Sequence, residues 1–198
     1  MNSYKKGEVV YLQGGLPTGL YCVHAGKVKL TSTSNDGKST IISIVTPGQL
    51  FGHKNVFNNE AYQTTATVIE DSKVCYLEKK FFFTLLQEQP TVSLQLVTHL
   101  AREMGAAEKS ISDLTQKTIR ARLATFLLDA VKNFGKESQN KITLDIKLTR
   151  EEMASLIGGA TETLIRLMTE LKDEGIIAQD GKTIQILDLK ALEKQAEF

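Results

Sequence analysis

The sequence predicts an α+β chain in three parts: a small N-terminal β-barrel or sandwich, a long dimerisation helix, and a C-terminal winged helix-turn-helix. Three observations predict it. Short apolar runs separated by turn signals fill residues 7–77. An apolar repeat with alternating steps of three and four residues follows, starting at Val97. Two short helical patterns broken by Gly158-Gly159 then lead into an Asp180-Gly181 hairpin signal. The expected boundaries are 1–89, 90–118 and 119–198.

In chain order, the strand runs are Val9–Leu12, Leu20–Val23, Val28–Leu30, Ile41–Val45, Ala66–Ile69 and Val74–Leu77. Breaks are expected at Gly14-Gly15, Ala25-Gly26, Asn35-Asp36-Gly37, Pro47-Gly48 and Asn58-Asn59. Residues 78–88 predict a short helix whose Phe81-Phe82-Phe83 cluster packs on the barrel. Pro90 is suited to the first position of the long helix. Val97, Leu100, Met104, Ala107, Ile111, Leu114, Thr118 and Ala121 then form an a/d seam, narrow enough to suit a parallel dimer better than docking on a barrel. Leu123, Phe126, Leu127 and Val131 open a further helix. Lys136 to Lys141 predicts a polar loop, and Ile142–Ile146 a strand that could join the wing.

The bulk properties exclude several classes. A chain of 198 residues with 41% hydrophobic and 24% charged content is that of an ordinary globular protein. No apolar run approaches the ~20 residues of a membrane span, and the N-terminus has no hydrophobic signal segment. Cys22 and Cys75 are far apart in sequence and match no metal spacing. A cytoplasmic protein with reduced thiols and no metal site is therefore expected. The sequence has no phosphate loop, His-Glu-x-x-His or Gly-x-Ser-x-Gly, and its three histidines form no visible catalytic set, so no enzyme is predicted.

The C-terminal part carries the chemistry. Thr149 and Glu152 form a Thr-x-x-Glu capping box that starts the first short helix. Leu164, Leu167, Met168 and Leu171 give the second its buried stripe, leaving Thr161, Glu162, Ile165 and Arg166 on the other side. Arg can hold guanine O6 and N7 with two hydrogen bonds, and Glu can accept from cytosine N4, so the pair suits one G·C base pair. The plain alternative is a solvated Glu162–Arg166 pair one turn apart. Gly175 suits a C-cap, and the hairpin after it completes a winged helix. Charge runs the other way: residues 145–198 hold seven Lys and Arg against eleven Asp and Glu, a net of −4. Phosphate neutralisation supplies most non-specific affinity. DNA binding therefore requires Lys147, Arg150, Arg166 and Lys182 to cluster on one face.

This order of parts resembles the cyclic-AMP receptor protein/FNR (Crp/Fnr) family of bacterial transcription regulators over nearly the whole chain. The residues carrying the resemblance are Gly7-Glu8, the Leu20–Leu30 hairpin, Pro47-Gly48-Gln49-Leu50-Phe51-Gly52, the Leu148–Ala154 run with Glu162, Thr163 and Arg166, and Gly181–Ile184. The resemblance implies a cyclic-nucleotide-binding-like barrel of the double-stranded β-helix (jelly-roll) type. It also implies DNA contacts from Arg150, Thr161, Glu162, Thr163, Ile165, Arg166 and Lys182, with Glu162 and Arg166 reading the G·C pair of a TGA-type half-site. Thr161 stands where the cyclic-AMP receptor protein has a second base-reading arginine, which places the chain nearer the FNR branch. The effector pocket implied is Gln49, Leu50, Phe51, Gly52, Lys54, Thr64 and Thr65.

The chain departs from the family at that pocket. Cyclic-nucleotide binders carry a Glu after the Pro-Gly turn and a phosphate-holding Arg about ten residues later. Here the first is Gln49, and no arginine precedes Arg102. Phosphate recognition favours a forked, charge-assisted donor, for which Lys54 is a weak substitute, so ordinary cyclic-AMP binding is not expected. Two cysteines cannot supply an FNR-type iron–sulfur cluster. Haem through His24, His53, His99 or a cysteine is left open, although single histidines are more often structural. The expected molecule is a homodimer on double-stranded DNA, with RNA polymerase and an unknown small-molecule effector as further partners, no membrane, and activation as the commoner mode. The alternative is a dimeric ligand- or partner-binding protein that no longer grips DNA, favoured by the acidic C-terminal segment.

Overall fold

The computed structural model describes residues 1–138, 141–144, 148–181 and 183–197, and it divides into two compact units, residues 1–105 and 106–198. The first unit begins with β1 (Asn2–Tyr4), β2 (Val9–Tyr11), β3 (Gly19–Thr33), β4 (Ser39–Val45) and β5 (Leu50–Phe51). It continues through α1 (His53–Asn58), β6 (Thr65–Glu78), α2 (Lys79–Glu88) and the first part of α3 (Pro90–Gln116). Its antiparallel sheet runs β1-β6-β3-β4, with β2 also on β6 and β5 also on β3.

The expected break at Ala25-Gly26 is a bulge inside one long strand. Gly26 has φ +86°, and a Cβ there would lie 2.1 Å from Ser72 Oγ. Only glycine lets the two backbones approach so closely at that φ. Pairing therefore resumes on both sides, with Val23 opposite Val74 and Lys27 opposite Glu70. The runs Ala66–Ile69 and Val74–Leu77 are likewise one strand, β6. Cys22 and Cys75, 53 residues apart in the chain, are direct partners across β3 and β6.

Two apolar clusters hold this unit. Val23, Val28, Phe51, Ala66, Val68 and Val74 lie in the barrel, and Leu20, Val56, Phe82 and Leu96 join the helices to it. Of the Phe81–Phe83 run, Phe82 is buried while Phe81 is 58% exposed. Consecutive helical residues are ~100° apart, so three in a row cannot share a face.

The second unit contains α4 (Ile119–Phe134), β7 (Gly135–Ser138), β8 (Lys141–Leu144), α5 (Arg150–Leu156), α6 (Thr161–Asp173), β9 (Ile177–Asp180), β10 (Thr183–Ile186) and α7 (Leu189–Gln195). Its antiparallel sheet runs β7-β8-β10-β9. Two expectations change. The apolar row does not run unbroken to Ala121: α3 ends at Gln116, and Thr118 caps α4 by accepting from Ala121 N at 3.2 Å. Ala121 is then buried inside the second unit. The polar stretch expected as a loop supplies β7, whose Gly135–Ser138 pair with Lys141–Leu144. The anticipated strand after it is β8, which pairs with β10; Asp145 and Ile146 lie outside the described residues.

Candidate nucleic-acid interface and effector region

Local chemistry places the two short helices. Thr149 Oγ1 accepts from Glu152 N at 3.1 Å, and Glu152 Oε2 accepts from Thr149 N at 2.8 Å, which closes the capping box of α5. Gly158, at φ +62°, turns the chain out of α5. Arg122 pins this turn, donating to Ile157 O at 2.8 Å and Gly158 O at 3.3 Å, and also to Leu114 O and Lys117 O at 3.0 and 3.1 Å. One guanidinium thus holds two carbonyls of the turn and two at the end of α3, tying the turn to the α3–α4 junction. Sequence reasoning missed Arg122, whose faint signal was a cation between the apolar positions Ala121 and Leu123.

On α6 the stripe Leu164, Leu167, Met168 and Leu171 is buried, while Glu162, Ile165 and Arg166 are exposed and Thr161 and Thr163 half-buried. The face expected to read bases is exposed by the burial of its opposite. Arg166 does not pair with Glu162. Its Nη1 donates to Glu170 Oε1 at 2.5 Å, one turn further along. Glu170 also accepts from Arg120 Nη1 at 2.9 Å, and Arg120 continues to both Glu174 oxygens at 2.6 and 2.7 Å and to Gln195 at 2.8 Å. Arg120 therefore clamps α4 to α6 and α7 and compensates the acidic end of α6.

Arg120, Arg122 and Arg166 thus all have protein partners. Arg166 keeps its side chain 65% exposed. Arg150 is half-buried, with Nη1 3.9 Å from Met153 Sδ; burial pulls its guanidinium below its usual value, yet arginine stays charged at neutral pH. Lys147 and Lys182 lie outside the described residues.

In the barrel, several of the expected pocket residues have partners within their own unit. Gln49 Oε1 accepts from Thr46 N at 2.8 Å and Thr46 Oγ1 at 3.0 Å, so the amide closes its own turn. Phe51 is buried among tyrosines, and Leu50 packs on the helical cluster. Gly52 (φ +76°) precedes α1. Thr65 Oγ1 accepts from Gln13 N at 3.0 Å, and Thr64 is half-buried beside it. Lys54 is exposed, with Nζ 3.6 Å from Glu103 Oε2.

Aromatic rings occupy the barrel core. Tyr11 and Tyr62 stack at 3.8 Å between centroids, and Phe51 lies 5.2 Å from Tyr21 and 5.9 Å from Tyr11. Tyr62 donates to Gly19 O at 2.8 Å. Burial pushes the Tyr11 phenol up to about 12 and raises Tyr21 and Tyr62 as well. Burial also raises the Cys22 thiol, with the neighbouring Cys75 adding to it.

Sequence reasoning expected no metal site, but the fold brings three ligand-type side chains together. Donor atoms of His53, His99 and Glu103 all lie within 4.8 Å of one another. His99 and Glu103 are one turn apart on α3, whereas His53 begins α1, more than forty residues earlier. The clue in the sequence was His-x-x-x-Glu on a helical pattern, without any signal for the third member. His24, by contrast, is exposed on β3.

Comparison with known proteins adds two domain matches. The family model described as cyclic nucleotide-binding domain matches residues 1–89, and that described as Crp-like helix-turn-helix domain matches residues 121–195. The transcriptional activator protein FnrL of Cereibacter sphaeroides is 32% identical over 184 residues, covering 91% of this chain and 73% of that protein. The CRP-like cAMP-activated global transcriptional regulator of Mycobacterium tuberculosis is 26% identical over 193 residues, covering 98% and 86%. A solved transcriptional regulator of the CRP family from Thermus thermophilus superposes with a TM-score of 0.85 at 26% identity, covering 100% of this chain and 97% of that one.

Proposed function

We propose that this chain, which belongs to the Crp/Fnr family of DNA-binding transcription regulators, works as a homodimer on an inverted repeat with TGA-type half-sites. The observation that carries the reading is α6: four buried apolar side chains hold it down while Glu162, Ile165 and Arg166 face outward. Arg166 exchanges Glu170 for guanine, Glu162 accepts from the paired cytosine, and Thr161, Thr163 and Ile165 complete the reading surface. Arg150 holds a phosphate near the start of α5, and Lys182 extends the contact from the wing.

Dimerisation uses α3. Val97, Met104 and Ile111 are 62–63% exposed in the single chain and recur every seven residues, with Leu114 beside them at 50%. Exposed apolar residues at heptad spacing need a partner helix. Leu100 is half-buried against its own unit and Ala107 is exposed, so the row from Val97 to Leu114 is the proposed seam. Two recognition helices about 34 Å apart then enter successive major grooves on one DNA face. The parts proposed are those expected from sequence: residues 1–89 sense, 90–118 dimerise and 119–198 read DNA. The protein acts in the cytoplasm, chiefly by activation through RNA polymerase, under an effector that biases the seam. Among the described residues no helix is long and apolar enough to cross a membrane.

Selection of random duplex DNA by the purified protein at moderate salt tests this reading. Enrichment of an inverted repeat with TGA-containing arms, and binding that weakens as salt rises, is the expected result. No enrichment, with or without a cell metabolite extract, would leave a dimeric binding protein that does not use DNA.

A further inference from the structure

We propose that His53, His99 and Glu103 form a binding site for a divalent first-row transition cation of the zinc type, with coordination positions left open to water or a further ligand. The geometry lies wholly within the first unit and does not depend on how DNA is read. Glu103 sits between the two imidazoles: its Oε2 is 3.0 Å from His53 Nε2 and its Oε1 3.4 Å from His99 Nε2. Donors bonded to one ion at about 2.0–2.2 Å stand at about these separations from their neighbours. Two imidazole nitrogens and one carboxylate form a donor set that suits zinc and its first-row neighbours.

Hydrogen bonding leaves this cluster incomplete. Among the described residues the buried His99 Nε2 makes no hydrogen bond despite its nearness to Glu103, and the Nδ1 of His53, which is 2% exposed, has no partner. Buried polar nitrogens are rarely left in this condition. An ion held by the two rings and the carboxylate takes up the idle His99 Nε2 and replaces the 3.0 Å hydrogen bond between His53 Nε2 and Glu103 Oε2. A ligating histidine must be neutral, and desolvation, partly offset by Glu103, keeps His53 below its usual value. Lys54 is the competing cation, 3.6 Å from Glu103 Oε2; its side chain is 69% exposed and can withdraw into water as the ion enters.

The position gives the ion leverage. His53 follows Phe51 of the barrel core by two residues, while His99 and Glu103 alternate along α3 with Val97, Leu100 and Met104. Ligation ties α1 to the helix that carries the proposed seam.

The test is titration of zinc, and separately of cobalt, into untagged full-length protein stripped of metal by a chelator. We expect one ion per chain and a cobalt spectrum without a thiolate charge-transfer band. Glu103→Gln and His99→Gln should each weaken binding at least about tenfold. Both side chains are partly exposed, so neither change empties the core; unchanged tyrosine fluorescence verifies that the barrel is intact. His24→Ala, and Cys22→Ser together with Cys75→Ser, should bind as the parent does. No binding at micromolar zinc, equal binding by the Glu103 and His99 variants, or loss of binding in the cysteine variant would overturn the site.

Discussion

The two units prepare their sites in opposite ways. In residues 106–198 the core is spent on display: α6 buries one stripe and keeps its other face bare. In residues 1–105 the core is packed with rings, Phe51 lying 5.2 Å from Tyr21 and 5.9 Å from Tyr11, and Gln49 and Thr65 are hydrogen-bonded to backbone of their own unit. A rigid polyanion can be read by an exposed helix face, since the groove supplies the enclosure. A small ligand needs a cavity with convergent polar groups, and Gln49 and Thr65 each accept hydrogen bonds within the unit. The exposed face of α6 can thus be inferred from periodicity within one helix, whereas the surroundings of the barrel residues depend on which distant residues pack against them.

Five measurements would break or sharpen this contrast. The largest effect belongs to the packed barrel. Phe51→Ala should cost about 3–5 kcal/mol of its stability through lost burial and a residual cavity. All five tyrosines lie in residues 1–105 and the chain has no tryptophan, so tyrosine fluorescence reports this unit during urea unfolding. An unmoved midpoint would mean that the interior is not packed around Phe51.

Next comes Arg122→Ala in the displaying unit. It frees two carbonyls of the turn into α6 and two at the end of α3, and should cost about 1.5–3 kcal/mol, as hydrogen bonds from a charged donor do. Because it loosens the whole turn, DNA affinity should drop similarly on every sequence. Arg166→Ala should instead cost about 1–3 kcal/mol at one G·C pair and leave other positions alone. Competition with single-base variants separates the two; uniform loss for Arg166→Ala would assign it to phosphate. Thr149→Ala removes the cap of α5 and should cost about 1 kcal/mol, readable as a lower thermal midpoint by circular dichroism.

The last effect is absent at neutral pH. Tyr11 and Tyr62 ionise later in the folded barrel than in the unfolded chain, so their contribution is intact below about pH 10. As pH rises beyond that, the unfolded state loses protons first and stability declines, for Tyr11 until about pH 12. Tyrosinate absorbance rising together with loss of the folded signal would confirm the linkage. Free titration near pH 10 would show that the rings are accessible.

Legibility followed the range of the interactions. The Thr149–Glu152 box, the four-residue stripe of α6 and the Asp180-Gly181 hairpin were readable because each is settled within a few positions by helical period, capping or turn geometry. The strands were recognised but cut too short at Gly26, since a glycine that permits a bulge looks the same in sequence as one that ends a strand. The row on α3 was legible as far as Leu114; its continuation to Ala121 failed because Thr118, seven residues after Ile111, caps a new helix.

The sequence by itself determined the order of parts, the faces of α6 and the absence of a phosphate-holding arginine before Arg102, because period, cap and composition are properties of contiguous residues. Tertiary structure decided the rest: Arg166 facing Glu170, Arg122 inside the turn, Cys22 against Cys75, and His53 beside His99 and Glu103. Side-chain partners depend on rotamer choice and on which distant backbones pack together, and neither leaves a periodic trace in the chain.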